Sequence, residues 1–107
     1  MKEDYGLEAE EKRSYCTRLT GELVSLRKRL GLTQEELEEI SGISRVTLSQ
    51  IESGRSMMSW LHFSALMHLF MQNRETKEQL YANGILDESL LRAYQQLKAD
   101  EMPEFNP

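Results

Sequence analysis

Three glycines punctuate the middle of this chain, and each ends a helical pattern too short to stand alone. From Thr20 onward, Leu23, Leu26 and Leu30 recur at three- and four-residue spacing, and Arg27, Lys28 and Arg29 follow where cations suit the C-terminal end of a helix dipole. Gly31 stops that run. Thr33 opens a second helix as the N-cap of a capping box with Glu36; Leu37 and Ile40 form its apolar stripe, and Gly42 ends it. Ser44 caps a third, whose inner face is Leu48 and Ile51 and whose end is Gly54.

The remainder reads as helix too. From Ser59 to about Gln72, Trp60, Phe63, Leu66, Met67 and Phe70 share one face while Leu61, Ala65 and Leu69 form a second stripe, so this helix needs two partners. A short helix around Thr76 to Ala82 ends at Asn83-Gly84. Asp87 then caps a last one, running to about Asp100 with the stripe Leu86, Leu90, Ala93, Tyr94 and Leu97. No alternating strand or internal repeat interrupts this, and 2 Pro and 6 Gly are too few for a turn-rich all-β domain. The expected class is all-α: a bundle of about five helices with an additional C-terminal helix. With 107 residues there is room for one small domain and an appended element.

Two short helices joined through Gly42-Ile43 cannot make an extended hairpin, but their spacing suits a helix-turn-helix in which Gly42 takes the special backbone conformation of the bend. The stretch LVSLRKRLGLTQEELEEISGISRVTLSQIESGR, Leu23 to Arg55, resembles the phage repressor and Cro (XRE) type of helix-turn-helix domain. Three signatures in register carry the likeness: Gly31-Leu32-Thr33-Gln34, the Gly42-Ile43-Ser44 turn and the ending Ile51-Glu52-Ser53-Gly54-Arg55. The resemblance implies a lambda-repressor-like fold and binding of double-stranded DNA. On this reading residues 17–83 are the DNA-binding domain, residues 1–16 an acidic, helical N-terminal extension, and residues 84–107 a C-terminal helix and tail that serve dimerisation.

On the third helix Arg45, Val46, Ser49, Gln50 and Ser53 share one outward arc. Arginine can pair bidentately with guanine, glutamine with adenine, and valine can touch a thymine methyl, which are the pairings of the major groove. Any amphipathic surface helix has a polar outer arc, so it is the register of the resemblance that assigns roles. By that resemblance Arg45, Val46 and Gln50 match base-reading positions, and Gln34, Ser44, Ser53 and Arg55 match positions that hold the DNA backbone. Gln34 starts the second helix, where its side chain and the free backbone N–H groups can point together at a phosphate. Arg27 and Glu52 match a structural ion pair between the first and third helices. Glu38 departs from the family, which has a small residue there, and the acidic run from Glu35 to Glu39 is unfavourable beside phosphates.

The net charge of -5 is spread unevenly: residues 17 to 56 carry 6 basic and 6 acidic side chains, so the excess acid lies outside the middle segment. A lone Cys16 cannot make an intrachain disulfide. His62 and His68, six residues apart on a helix, do not share a face, so no metal site is expected. No nucleophile-base arrangement or phosphate-cradling loop is visible, which argues against an enzyme and for no cofactor. Most of the six methionines are expected to fill core gaps. Neither a membrane span nor a signal peptide is legible, so a cytoplasmic setting is expected. The leading function is a sequence-specific transcriptional regulator acting as a homodimer. The alternative is an antitoxin-like or adaptor protein that uses the same scaffold for an unknown protein partner. For the dimer surface the stripe Leu86, Leu90, Ala93, Tyr94 and Leu97 is one candidate; packing of that stripe within the chain is the other.

Overall fold

Helix starts in this chain are written by short polar side chains that satisfy otherwise orphaned backbone N–H groups. Thr33 Oγ1 accepts from Glu36 N at 3.1 Å while Glu36 Oε1 accepts from Thr33 N at 2.9 Å. Ser44, Ser59 and Asn73 cap in the same manner, and Asp87 Oδ1 accepts from Leu90 N at 2.9 Å. The computed structural model describes residues 7–95, which form six helices and no strand: α1 (Ala9–Arg29), α2 (Gln34–Ser41), α3 (Arg45–Glu52), α4 (Trp60–Phe70), α5 (Arg74–Ala82) and α6 (Glu88–Gln95). The protein is all-α, as its sequence pattern indicates.

Gly42 is where backbone geometry decides the turn. It ends α2 in the left-handed region, φ +81°, with its N–H donating to Glu38 O at 2.9 Å. A Cβ placed there would meet nothing within 4 Å, so the requirement for glycine comes from φ and not from crowding.

One core runs through the described residues. Leu19, Leu23 and Leu26 of α1 are fully buried with Leu37 of α2, Leu48 and Ile51 of α3, and Phe63, Leu66 and Phe70 of α4. α1 continues without a break through residues 16 and 17, and Tyr15, Cys16 and Leu7 belong to the same core as Leu19. Burial raises the Cys16 thiol above its ordinary pKa, which suits a packing role. α4 has its expected inner face, but the second stripe does not mate with another element along its length. Leu61 is 78% exposed, whereas Ala65 and Leu69 pack partly against the core. Met57 is likewise 72% exposed, against the expectation that it fills a core gap, while Met58 and Met67 are buried.

Leu86, Leu90 and Ala93 are buried within the chain, together with Ile85; Leu86 lies in the turn before α6, not on the helix. These three are therefore spent on the intrachain core and unavailable as a dimer surface. Tyr94 is 39% exposed and Leu97 lies outside the described residues. What holds α6 is a clasp on α1: Tyr15 Oη donates to Asp87 Oδ1 at 2.6 Å, Arg18 donates to the Gly84 carbonyl, and the Arg18 guanidinium sits 4.4 Å from the centre of the Tyr15 ring. Burial, and next the Asp87 carboxylate that accepts its proton, push the Tyr15 pKa up to about 12. At the other junction, the fully buried Thr76 Oγ1 donates to the Phe70 carbonyl at 2.6 Å and so closes the α4–α5 corner without an unsatisfied hydroxyl.

Replacing Leu90 by Ala should cost roughly 2–5 kcal/mol, because a fully buried leucine leaves a cavity. Tyr94→Ala, at a partly exposed position, should cost clearly less. Chemical denaturation of both variants checks this; equal losses would mean that α6 is not held by its inner face.

Candidate nucleic-acid interface

An eight-residue helix is not stable by itself, so α3 must take its position from what surrounds it. Leu48 and Ile51, both fully buried, hold its inner side. Its polar inner anchor is Glu52, which receives two hydrogen bonds from Arg27 of α1: Nε to Oε2 at 2.8 Å and Nη2 to Oε1 at 3.0 Å. Side-chain exposure is 12% for Arg27 and 8% for Glu52, so the pair is nearly out of solvent. The third guanidinium nitrogen, Nη1, donates to the Leu32 carbonyl at 2.8 Å, which ties the α1–α2 link into the same fork.

Burial alone would raise the Glu52 pKa, but hydrogen bonds from Arg27 and Gln34 and the nearby charges of Arg27 and Lys28 outweigh it and hold the carboxyl below its ordinary value. The Arg27 pKa is raised, first by its hydrogen bond to Glu52.

Gln34 is turned differently from the sequence expectation. Its Nε2 donates to Glu52 Oε1 at 2.9 Å, so the side chain points at the buried pair and not out along the N-terminus of α2 towards a phosphate. The physical reason is that Oε1 keeps acceptor capacity after binding Arg27, and a buried carboxylate lone pair left unmet costs more than an amide facing water.

The outward side of α3 carries Arg45 with its side chain 51% exposed, Val46 at 58%, and an exposed Gln50. Gln50 Oε1 accepts from Ser56 Oγ at 3.1 Å, which steadies the amide from the loop that follows. Ser44 and Ser53 lie at the two ends of the helix and use their hydroxyls locally: Ser44 Oγ accepts from Thr47 N, and Ser53 Oγ donates to the Gln50 carbonyl at 3.1 Å. Arg55 is exposed just beyond, its backbone N–H on the Gln50 carbonyl at 2.8 Å. Across the turn, Glu35 in the first turn of α2 lies 3.9 Å from Arg45 Nε, an ion pair that the sequence reading, which treated the α2 acids as a solvated run, did not find. Nothing local links positions 35 and 45; only the turn geometry brings them together. Glu38 is half-buried.

His62 is engaged by its own helix start, its Nδ1 accepting from Ser59 N at 3.3 Å. Among the described residues no group of three His, Cys, Asp or Glu side chains could hold a metal ion, and no helix is long and apolar enough to cross a membrane.

Comparison with known proteins gives one match: residues 23–59 fit the model of a family described as helix-turn-helix. No curated protein and no solved structure matches the chain. The matched segment spans the end of α1, all of α2 and α3 and the loop up to α4. Through this segment the chain belongs to the XRE-type helix-turn-helix family, a class of DNA-binding regulators.

Either Arg27→Ala or Glu52→Ala should destabilise the fold by about 3–5 kcal/mol, since each leaves its partner buried and alone, and the double variant should cost less than the two added together. Because the Glu52 pKa is depressed in the folded chain, its contribution is complete above the ordinary carboxylate range and fades as pH falls through the lower, folded value. A plot of unfolding free energy against pH should therefore drop on the acid side, and Glu52→Gln should flatten that limb. A double-mutant cycle with no coupling would refute the role given to the pair.

Proposed function

We propose that this protein is a sequence-specific transcriptional regulator that inserts α3 into the major groove of an operator. Arg45, Val46 and Gln50 would face base edges, and Ser44, Ser53 and Arg55, with the backbone N–H groups at the start of α2, would engage the sugar-phosphate chain. The observation that carries the reading is the split face of α3. A capped helix in a helix-turn-helix segment keeps Leu48 and Ile51 wholly inside while Arg45, Val46 and Gln50 stand out to solvent. These three side chains supply a guanine donor fork, a methyl-contacting surface and an adenine-pairing amide. Gln34 acts indirectly in this scheme, as a link between α2 and the Arg27–Glu52 pair.

Binding as a homodimer is part of the proposal. One α3 offers few contacts, and with a net charge of -5 the chain has little general attraction for DNA; a two-fold pair places two such helices about 34 Å apart, one turn of the duplex. With Leu86, Leu90 and Ala93 buried, the dimer surface has to come from other exposed positions. The setting is the cytoplasm, where an operator is accessible.

Selection of duplexes from a random pool by the purified chain tests the reading. An enriched, palindromic motif is the expected outcome; no enrichment even at low salt would favour an adaptor that uses the scaffold for protein contacts. On the enriched duplex Gln50→Ala should cost roughly 1–3 kcal/mol and relax one base position, whereas Arg55→Ala should weaken all duplexes alike and lower the salt slope by about 1. An unchanged motif and affinity for Gln50→Ala would remove α3 as the reading helix.

A further inference from the structure

The starts of α2 and α3 meet at an ion pair between Glu35 and Arg45. The two side chains are 71% and 51% exposed, so the contact is easily exchanged for another partner. The neighbouring acids are differently placed: Glu36 is taken up by the capping box with Thr33, and among the described residues the contact of Glu35 is the one ion pair between α2 and α3. If α3 reads the major groove, the reading on which this inference rests, Arg45 has three anions or acceptors to choose from: a phosphate, a guanine edge, and Glu35.

Those three are not equivalent. A guanine offers N7 and O6 together, matching the planar fork of the guanidinium bidentately. A phosphate is offered by every sequence and so carries no information. Glu35 is present in every complex, accepts from Arg45 through a single long contact, and repels phosphates. It competes with phosphate for Arg45 on any duplex, and it loses to a guanine that accepts two hydrogen bonds in line.

We propose that Glu35 is a specificity-determining residue: by retaining Arg45 on DNA that presents no guanine to it, Glu35 withholds one phosphate contact from wrong sites. The effect is discrimination by a built-in competitor, at some loss of affinity everywhere.

The test uses the full chain, the duplex enriched by wild type from a random pool, and a scrambled duplex of the same length and composition. Glu35→Gln should raise affinity for the scrambled duplex about three- to fivefold and for the enriched duplex less than about twofold. The salt slope on the scrambled duplex should steepen by about 0.9, one additional phosphate contact. In an Arg45→Ala background the same Glu35→Gln change should leave the ratio of the two affinities unaltered, which separates a hold on Arg45 from simple loss of a negative charge. Equal gains on both duplexes, or the same fall in discrimination without Arg45, would overturn the inference while leaving α3 as the reading helix. A wild-type selection that enriches no sequence would instead overturn that reading and this inference with it.

Discussion

A buried fork between Arg27 and Glu52 fixes where α3 lies, and the surface that α3 offers depends on it. One guanidinium places two hydrogen bonds on the Glu52 carboxylate and a third on the Leu32 carbonyl, while the carboxylate takes a further one from Gln34. Four segments, α1, the α1–α2 link, α2 and α3, are thereby referred to one ion pair. A well-packed apolar pair at this place could match or exceed its stability, because desolvating both charges offsets much of their attraction. It could not impose direction. Hydrogen bonds with fixed angles set the rotation of an eight-residue helix about its own axis, which contact between rounded aliphatic side chains leaves looser.

Rotation matters because α3 has so little length. Turning it by one residue, 100°, would bring Val46 or Arg45 inward and expose Leu48 or Ile51. The apolar pair Leu48–Ile51 and the polar Glu52 lie on adjacent turns and agree on a single orientation, one through burial and the other through geometry. The C-terminal part of the chain supports that arrangement from behind. Ile85, Leu86 and Leu90 cover the core, and the Tyr15–Asp87 contact closes α6 on the first half of α1, some distance along the chain from the fork at its end.

What could be read in the sequence was whatever is encoded within about one helical turn. Caps at Thr33, Ser44, Ser59 and Asp87, stops at Gly31, Gly42 and Gly54, and the inner faces of α3 and α4 are local patterns and stand out as such. The fork joins positions 25 residues apart and entered only through family resemblance; Tyr15 and Asp87 are 72 apart and no pattern flags them. Stripes proved informative about burial but not about the partner. The stripe at Leu86, Leu90 and Ala93 is buried against its own chain, and Leu61, which looked like part of a second packing face, is exposed to solvent. Periodicity reports which residues share a side of a helix; it holds no information on whether another element arrives there. Gln34 fails for a related reason, since its end position was legible but the competing pull of a buried carboxylate was not.

The electrostatic economy of the helix-turn-helix segment has a consequence for how affinity is built. Of the six cations between residues 17 and 56, Arg18 is held by Gly84 and Asp87, Arg27 by Glu52, Arg29 by Gln79 and Arg45 by Glu35. Lys28 and Arg55 are those whose side chains have no partner among the described residues. A chain so arranged releases few counterions on meeting a duplex, so it gains little from the sequence-independent term that dominates most protein–DNA binding. Its affinity must then come from base edges and from the joining of two copies, terms that vary with sequence and with the spacing of half-sites. Weak general attraction is thus the condition under which a handful of contacts from a short, rigidly oriented helix can decide where the protein stays.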